Sequence, residues 1–126
     1  MTSPFLARLH AEHIAANDLA FAIRDGFPVS PGHTLVVTRR LVATWFDATS
    51  AEQSAAMALV NEVKRMLDES HHPDGYNVGF NAGDAAGQTV PHLHIHIIPR
   101  YRGDRPDPRG GVRWVLPDQA DYWSKR

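Results

Sequence analysis

The sequence has no cysteine. That excludes a disulfide framework, a thiolate metal site, an iron–sulfur cluster and a thiol nucleophile. No apolar run approaches the roughly 20 residues that a membrane-spanning helix needs. The chain does not open with a basic stretch followed by an apolar core, so no secretory signal is expected and cytoplasmic location is the default. Charge of one sign is also missing, because 13 Lys and Arg stand against 14 Asp and Glu. The formal net charge of −1 argues against bulk binding to nucleic acid. What is present is the composition of one ordinary globular domain, with 126 residues, 43% of them apolar and 21% charged. That length buries enough surface to fold without a structural metal. The excess is in histidine, at 8 residues.

Local patterns predict an α+β fold. Ser3 and Pro4 suit the N-cap and first position of a short helix ending near His10. Ile14–Ala16 and Leu19–Ile23 flank Asn17-Asp18 and read as a hairpin. Leu35, Val36 and Val37 predict a buried strand, and Trp45 and Phe46 are expected to pack on the core. A long helix is expected from about Ser50 to Ser70. Ser50 with Gln53, or Thr49 with Glu52, supplies capping-box spacing, and Met57, Val60, Val63 and Leu67 recur at helical intervals. His71 and His72 then suit the helix C-terminus, before Pro73 and Gly75. Tyr76–Asn81 and His92–Ile98 predict two more strands, separated by a loop over Ala82–Pro91. Connections this short favour an antiparallel sheet of about five strands, with one long and one short helix. We expect a single domain over 1–126. Its core spans about 4–100, and an irregular tail rich in Arg, Pro and Gly spans about 101–126.

The chemistry concentrates in His92-Leu93-His94-Ile95-His96-Ile97-Ile98. Alternation along a strand predicts that His92, His94 and His96 share one face, roughly 6.5–7 Å apart, while Leu93, Ile95 and Ile97 enter a core. Three readings fit. The imidazoles could ligate a metal, but three in a row converge poorly on one ion, and no carboxylate lies in the strand. They could form a solvated polar face, where Lys, Thr or Glu are the usual residues. Or one imidazole attacks an electrophile while its neighbours donate hydrogen bonds and fix its orientation. The preceding Gly87-Gln88-Thr89 favours the last, because a glycine backbone with amide and hydroxyl donors suits the oxygens of a phosphorus centre.

Gly87-Gln88-Thr89-Val90-Pro91-His92-Leu93-His94-Ile95-His96-Ile97-Ile98-Pro99-Arg100 resembles the signature of the histidine triad superfamily. Ser30-Pro31-Gly32-His33-Thr34-Leu35-Val36-Val37 resembles the block that supplies that family's fourth histidine. The resemblance runs from about Pro4 to Arg100 and implies the antiparallel fold of that family. It implies that His94 is the nucleophile on the α-phosphorus of a nucleotide, with a nucleotidyl-histidine intermediate that water hydrolyses to a nucleoside monophosphate. It places His96 near the leaving atom, with His92 and His33 supporting the cluster. Gly87, Gln88 and Thr89 would contact phosphate, Asp25 the ribose hydroxyls, and Asn81 the nucleotide. His96 stands where related transferases carry glutamine, which points to the hydrolases. Within these, Gly-Gln-Thr-Val and the trailing Pro-Arg are most similar to the fragile histidine triad branch, which cleaves dinucleoside polyphosphates. The alternatives are the branch that cleaves nucleoside phosphoramidates and acyl-adenylates, or a protein that binds nucleotide or metal without turnover. The resemblance implies no metal in the site, magnesium only as a companion of a polyphosphate, and a homodimer.

Other features have plainer readings. His10 and His13 are expected on the surface, and Phe21 and Ile23 in the core, with a wall for the base as their other reading. Phe5 or Leu6 could form such a wall too. The tail's Arg100, Arg102, Arg105, Arg109 and Arg113 could hold polyphosphate or simply face solvent. Trp114 and Trp123 are expected to dock on this chain or on a partner subunit.

Overall fold

The computed structural model describes residues 3–125. Its strands are β1 (Ala15–Ala16), β2 (Ala20–Arg24), β3 (Thr34–Thr38), β4 (Gly75–Gly79) and β5 (His94–Arg100), and its α-helix is α1 (Ser50–His71). They form one antiparallel sheet in the order β1-β2-β3-β5-β4. The hairpin between β1 and β2 turns as expected, with Asn17 Oδ1 accepting from the Leu19 and Ala20 amides.

The connection from β3 to β4 runs through α1, which crosses one face of the sheet. Ala56, Leu59, Val60, Val63 and Leu67 pack there on Ala20, Ala22, Val36, Ile95 and Ile97. Thr49, not Ser50, is the N-cap. Its hydroxyl accepts from the Glu52 amide, and Glu52 returns a bond to the Thr49 amide while pairing with Arg40. Met57 is 43% exposed, because it lies one position off the stripe that Ala56, Val60, Val63 and Leu67 present to the sheet. His72 closes the helix in the left-handed region, at φ 49°. Gly32, at φ 90°, lies against the end of α1, where a Cβ would meet Leu67 Cδ2 at 2.9 Å. That close approach explains the glycine immediately before His33.

The opposite face carries Phe21, Ile23, Leu35 and Val37 with Phe5 against them. Register puts His94 beside Val37 and His96 beside Leu35, so both imidazoles emerge on this face. Several local expectations are displaced. The segment after Ser3 forms turns, and the short helix is a 3-10 turn at His10–Glu12. Trp45 stacks on Phe80 at 5.2 Å, whereas Phe46 is 75% exposed. His13, expected on the surface, is half-buried and stacked on Phe21 at 4.3 Å, whereas Phe21 and Ile23 are core residues as expected.

The tail is irregular but ordered by its own contacts. Arg105 lies over Trp114, Arg109 over Trp123 and Arg113 over Tyr122, with guanidinium-to-ring distances of 4.8–5.6 Å. Trp114 Nε1 donates to the Arg109 carbonyl, and Arg113 donates to the carbonyls of Gln119 and Ala120. The two tryptophans therefore dock within their own chain. No helix of the described residues is long and apolar enough to cross a membrane.

Candidate active site

A cleft of about 510 Å³ opens on the face of the sheet not covered by α1. His94 and His96 project into it from β5, and His33 enters from the turn before β3. Phe5, Phe27 and Leu35 give apolar walls, and Asp25, Asn81, Gly87 and Thr89 give polar ones.

The backbone fixes which nitrogen of each ring carries the proton. His94 Nδ1 lies 2.7 Å from the His92 carbonyl, which can only accept. Neutral His94 therefore holds its proton on Nδ1 and leaves the Nε2 lone pair free. The Val29 amide donates to His33 Nδ1 at 3.1 Å, so neutral His33 carries its proton on Nε2. That proton points at His96 Nδ1, 2.9 Å away. His96 must then carry its own proton on Nε2. One backbone amide thus makes His96 Nε2 a donor, and one backbone carbonyl makes His94 Nε2 an acceptor. The two rings stand edge to face with centroids 5.1 Å apart.

His96, His33 and His92 are held neutral. Burial, then the neighbouring His94 and His33, pushes His96 from its ordinary 6.5 down to about 4, against the opposing pull of Asp25. Burial likewise lowers His33 and His92. The unfolded His96 takes a proton near 6.5 and the folded one near 4. Between these values the unfolded state holds the extra proton, so stability falls as pH drops through that window, by roughly 3 kcal/mol across all of it. Urea unfolding at pH 7 and pH 4.5 should show this loss, and His96→Asn should reduce it. An unchanged pH slope in that variant would exclude His96 as its source.

Two expected site residues are directed elsewhere. His92 precedes β5, because its own amide bonds Val90 O and the next amide bonds Val42 O, bending the chain before the sheet begins. Its ring is fully buried between Ser3 Oγ, 2.6 Å from Nδ1, and the Thr38 carbonyl, 2.7 Å from Nε2. The shared face thus holds His94 and His96, and His92 reaches the cleft only through its carbonyl. Gln88 is also turned away. Its amide oxygen accepts from Gly83, and its nitrogen donates to Ala43 O and Val90 O, tying the β4–β5 loop to the connector before α1. The Gly87 amide is taken by Asp84 O. Thr89 lines the cleft, and among the described residues its amide and hydroxyl bond to no protein group. One Asp25 oxygen accepts from the Phe27 amide, while the other lies 3.4 Å from His33 Nε2 and 4.0 Å from His96 Nδ1.

Side-chain pattern could not reveal the Val29 amide or the Ser3 contact, which joins residues 89 apart. Arg8 was missed as well; it lines the cleft and donates to the Arg24 carbonyl.

Asp25, His33 and His96 present possible metal ligands within 4.8 Å of one another. A cation on His33 Nε2 would move that ring's proton to Nδ1, opposite the Val29 amide. Two donors would then face each other, so the ring's fixed polarity fits a proton better than a metal.

An α+β fold with a histidine pair at the floor of a cleft defines the class, and similarity to known proteins gives the family. The HIT domain family matches residues 8–103, and the chain belongs to it. The AP-4-A phosphorylase of Mycobacterium tuberculosis is 37% identical over 92 residues, covering 72% of this chain and 47% of that protein. The bifunctional bis(5'-adenosyl)-triphosphatase/adenylylsulfatase of Arabidopsis thaliana is 39% identical over 89 residues, covering 71% and 49%. The chain thus spans about half the length of these relatives. Among solved structures, the nitrilase–fragile histidine triad protein of Caenorhabditis elegans superposes with a TM-score of 0.75 at 32% identity, covering 95% of this chain and 28% of that one.

Proposed function

We propose that this chain hydrolyses dinucleoside polyphosphates at the α-phosphate through a nucleotidyl intermediate on His94, releasing a nucleoside monophosphate. The observation that carries this reading is the free Nε2 lone pair of His94, set by the His92 carbonyl, in a cleft large enough for a nucleotide. Nε2 bonds to the α-phosphorus as the bond to the bridging oxygen breaks. That oxygen leaves with the electron pair as a terminal oxygen of the departing nucleoside polyphosphate. The His94 ring gains positive charge, and its Nδ1–H donates more strongly to the His92 carbonyl. His96 Nε2–H donates to the oxygen where negative charge collects. Being neutral, it gives a hydrogen bond and keeps its proton. Water then attacks the same phosphorus and loses a proton to solvent, and the P–N electron pair returns to His94.

Asp25 and Asn81 serve the nucleoside, Thr89 serves phosphate oxygens with its amide and hydroxyl, and Gly87, Gln88 and His92 hold these groups in place. Magnesium enters only with the substrate, and the same site suits phosphoramidates and acyl-adenylates. The assembly is a homodimer, in which the outer strand β4 offers a free edge.

A second reading differs only in the acceptor. The name of the M. tuberculosis relative, a phosphorylase, supports inorganic phosphate in place of water, which would yield a nucleoside diphosphate. The test is product analysis with diadenosine tetraphosphate, diadenosine triphosphate and adenosine phosphoramidate, each with and without chelator and with and without phosphate. AMP release that survives removal of protein-bound metal supports hydrolysis, and ADP formed only with phosphate supports the second reading. No turnover of any of the three would overturn both.

A further inference from the structure

Beyond the cleft, along β5, lies a second recess of about 430 Å³. It is floored by His96 and Ile98 of β5 and by Asn77 and Gly79 of β4. Its far wall is the tail segment Gly111–Val115, which lies outside the residues matched by the family. It shares Val29, His33, Asn81 and His96 with the cleft, so the two spaces meet at His96.

We propose that this recess holds the nucleoside of the leaving nucleotide. The inference rests on the reading above and adds a second substrate subsite to it. A dinucleoside polyphosphate carries a nucleoside at each end of its phosphate chain. The cleft beside His94 takes the one that stays on the enzyme, and the departing chain passes His96 into the space that continues from it.

The chemistry of the recess matches a base. Val112 and Val115 are 65% and 78% exposed, apolar side chains with room for a flat ring against them. Two carboxamides border the same space. Asn77 spends its oxygen on Arg100 Nη1 at 2.7 Å, leaving its Nδ2 donors. Asn81 stands where the two spaces meet and is shared with the nucleoside in the cleft. Apolar walls with a few amides are what base faces and base edges require.

Gly79 is the second, independent observation. It is paired with His96 and lies on the same face of the sheet, and a Cβ built on it meets nothing within 4 Å. Its backbone is not in the left-handed region, so the glycine is unnecessary for the chain's path. Its effect is to leave the floor of the recess open.

Gly79→Leu fills that floor, and Val115→Asp puts a charge on the opposite wall without touching the core. The measurement is kcat/KM for diadenosine tetraphosphate divided by kcat/KM for adenosine phosphoramidate, whose leaving group has no nucleoside. We expect this ratio to fall about tenfold or more in each variant. A ratio unchanged in both, whether the two rates fall together or stay level, would overturn the subsite. Absence of turnover of both substrates by the unaltered chain would overturn the underlying reading, and the subsite with it.

Discussion

His94→Ala loses roughly 10⁴-fold or more of kcat and keeps nucleotide affinity within about tenfold. The argument is one of position. His94 supplies no wall that the nucleoside needs, since Phe5, Phe27 and Leu35 give the apolar surface and Asp25, Asn81 and Thr89 give the polar contacts. In the proposed reaction it supplies the lone pair. Removing that pair removes the covalent route, and no neighbour can replace it. His96 presents a proton on its cleft-facing nitrogen, His33 points its own at His96, and His92 is buried with both nitrogens engaged. Nucleotide binding is read by titration calorimetry and turnover by product release. In the unaltered chain, acid-labile, base-stable label from an α-phosphate should be found on His94 after rapid quenching. A variant that turns over each bound substrate at the original rate, or label on another residue, would remove His94 from its role.

The parts of this site that are legible in the sequence are those set by side-chain alternation. Leu35, Val36 and Val37 mark a buried strand, and His94, Ile95 and His96 mark one whose two faces differ; register then brings the two together. The α1 stripe of Val60, Val63 and Leu67 is legible from helical spacing, which puts Met57 in the place that Ala56 takes. What alternation misjudges is where a strand begins. His92 fits the period but lies before the sheet, because backbone bonds to Val90 and Val42 bend the chain there. What it cannot contain is the backbone. The Val29 amide and the His92 carbonyl decide the chemistry of three imidazoles, and neither has a side-chain signal. Gln88 shows the converse case. Its type suits a phosphate ligand, but three backbone groups of two loops satisfy it first. The tail's arginines suit polyphosphate equally well by composition, yet three of them lie over aromatic rings of the same segment.

His96→Ala tests the other half of the pair. The expected loss in kcat is roughly 10²–10³-fold, the range for removing one donor from a developing oxyanion. The loss should grow with the basicity of the leaving oxygen. A strongly basic oxygen leaves with concentrated charge and needs the Nε2–H most, whereas a weakly basic phenolate needs it least. A series of aryl esters of AMP therefore separates His96 from a purely structural residue, because a packing defect would lower all rates by one factor. The plot of log kcat/KM against leaving-group pKa should be steeper in the variant than in the unaltered chain. Equal slopes would place His96 away from the leaving atom. Position along the chain of hydrogen bonds adds a second constraint. His33→Ala removes the donor to His96 Nδ1 and frees that ring to hold its proton on either nitrogen. It should produce the same steepening in weaker form, because the Nε2–H tautomer is then only one of two. Through His33, the proton on His96 Nε2 traces back to the Val29 amide, a backbone group that only a proline at that position would remove.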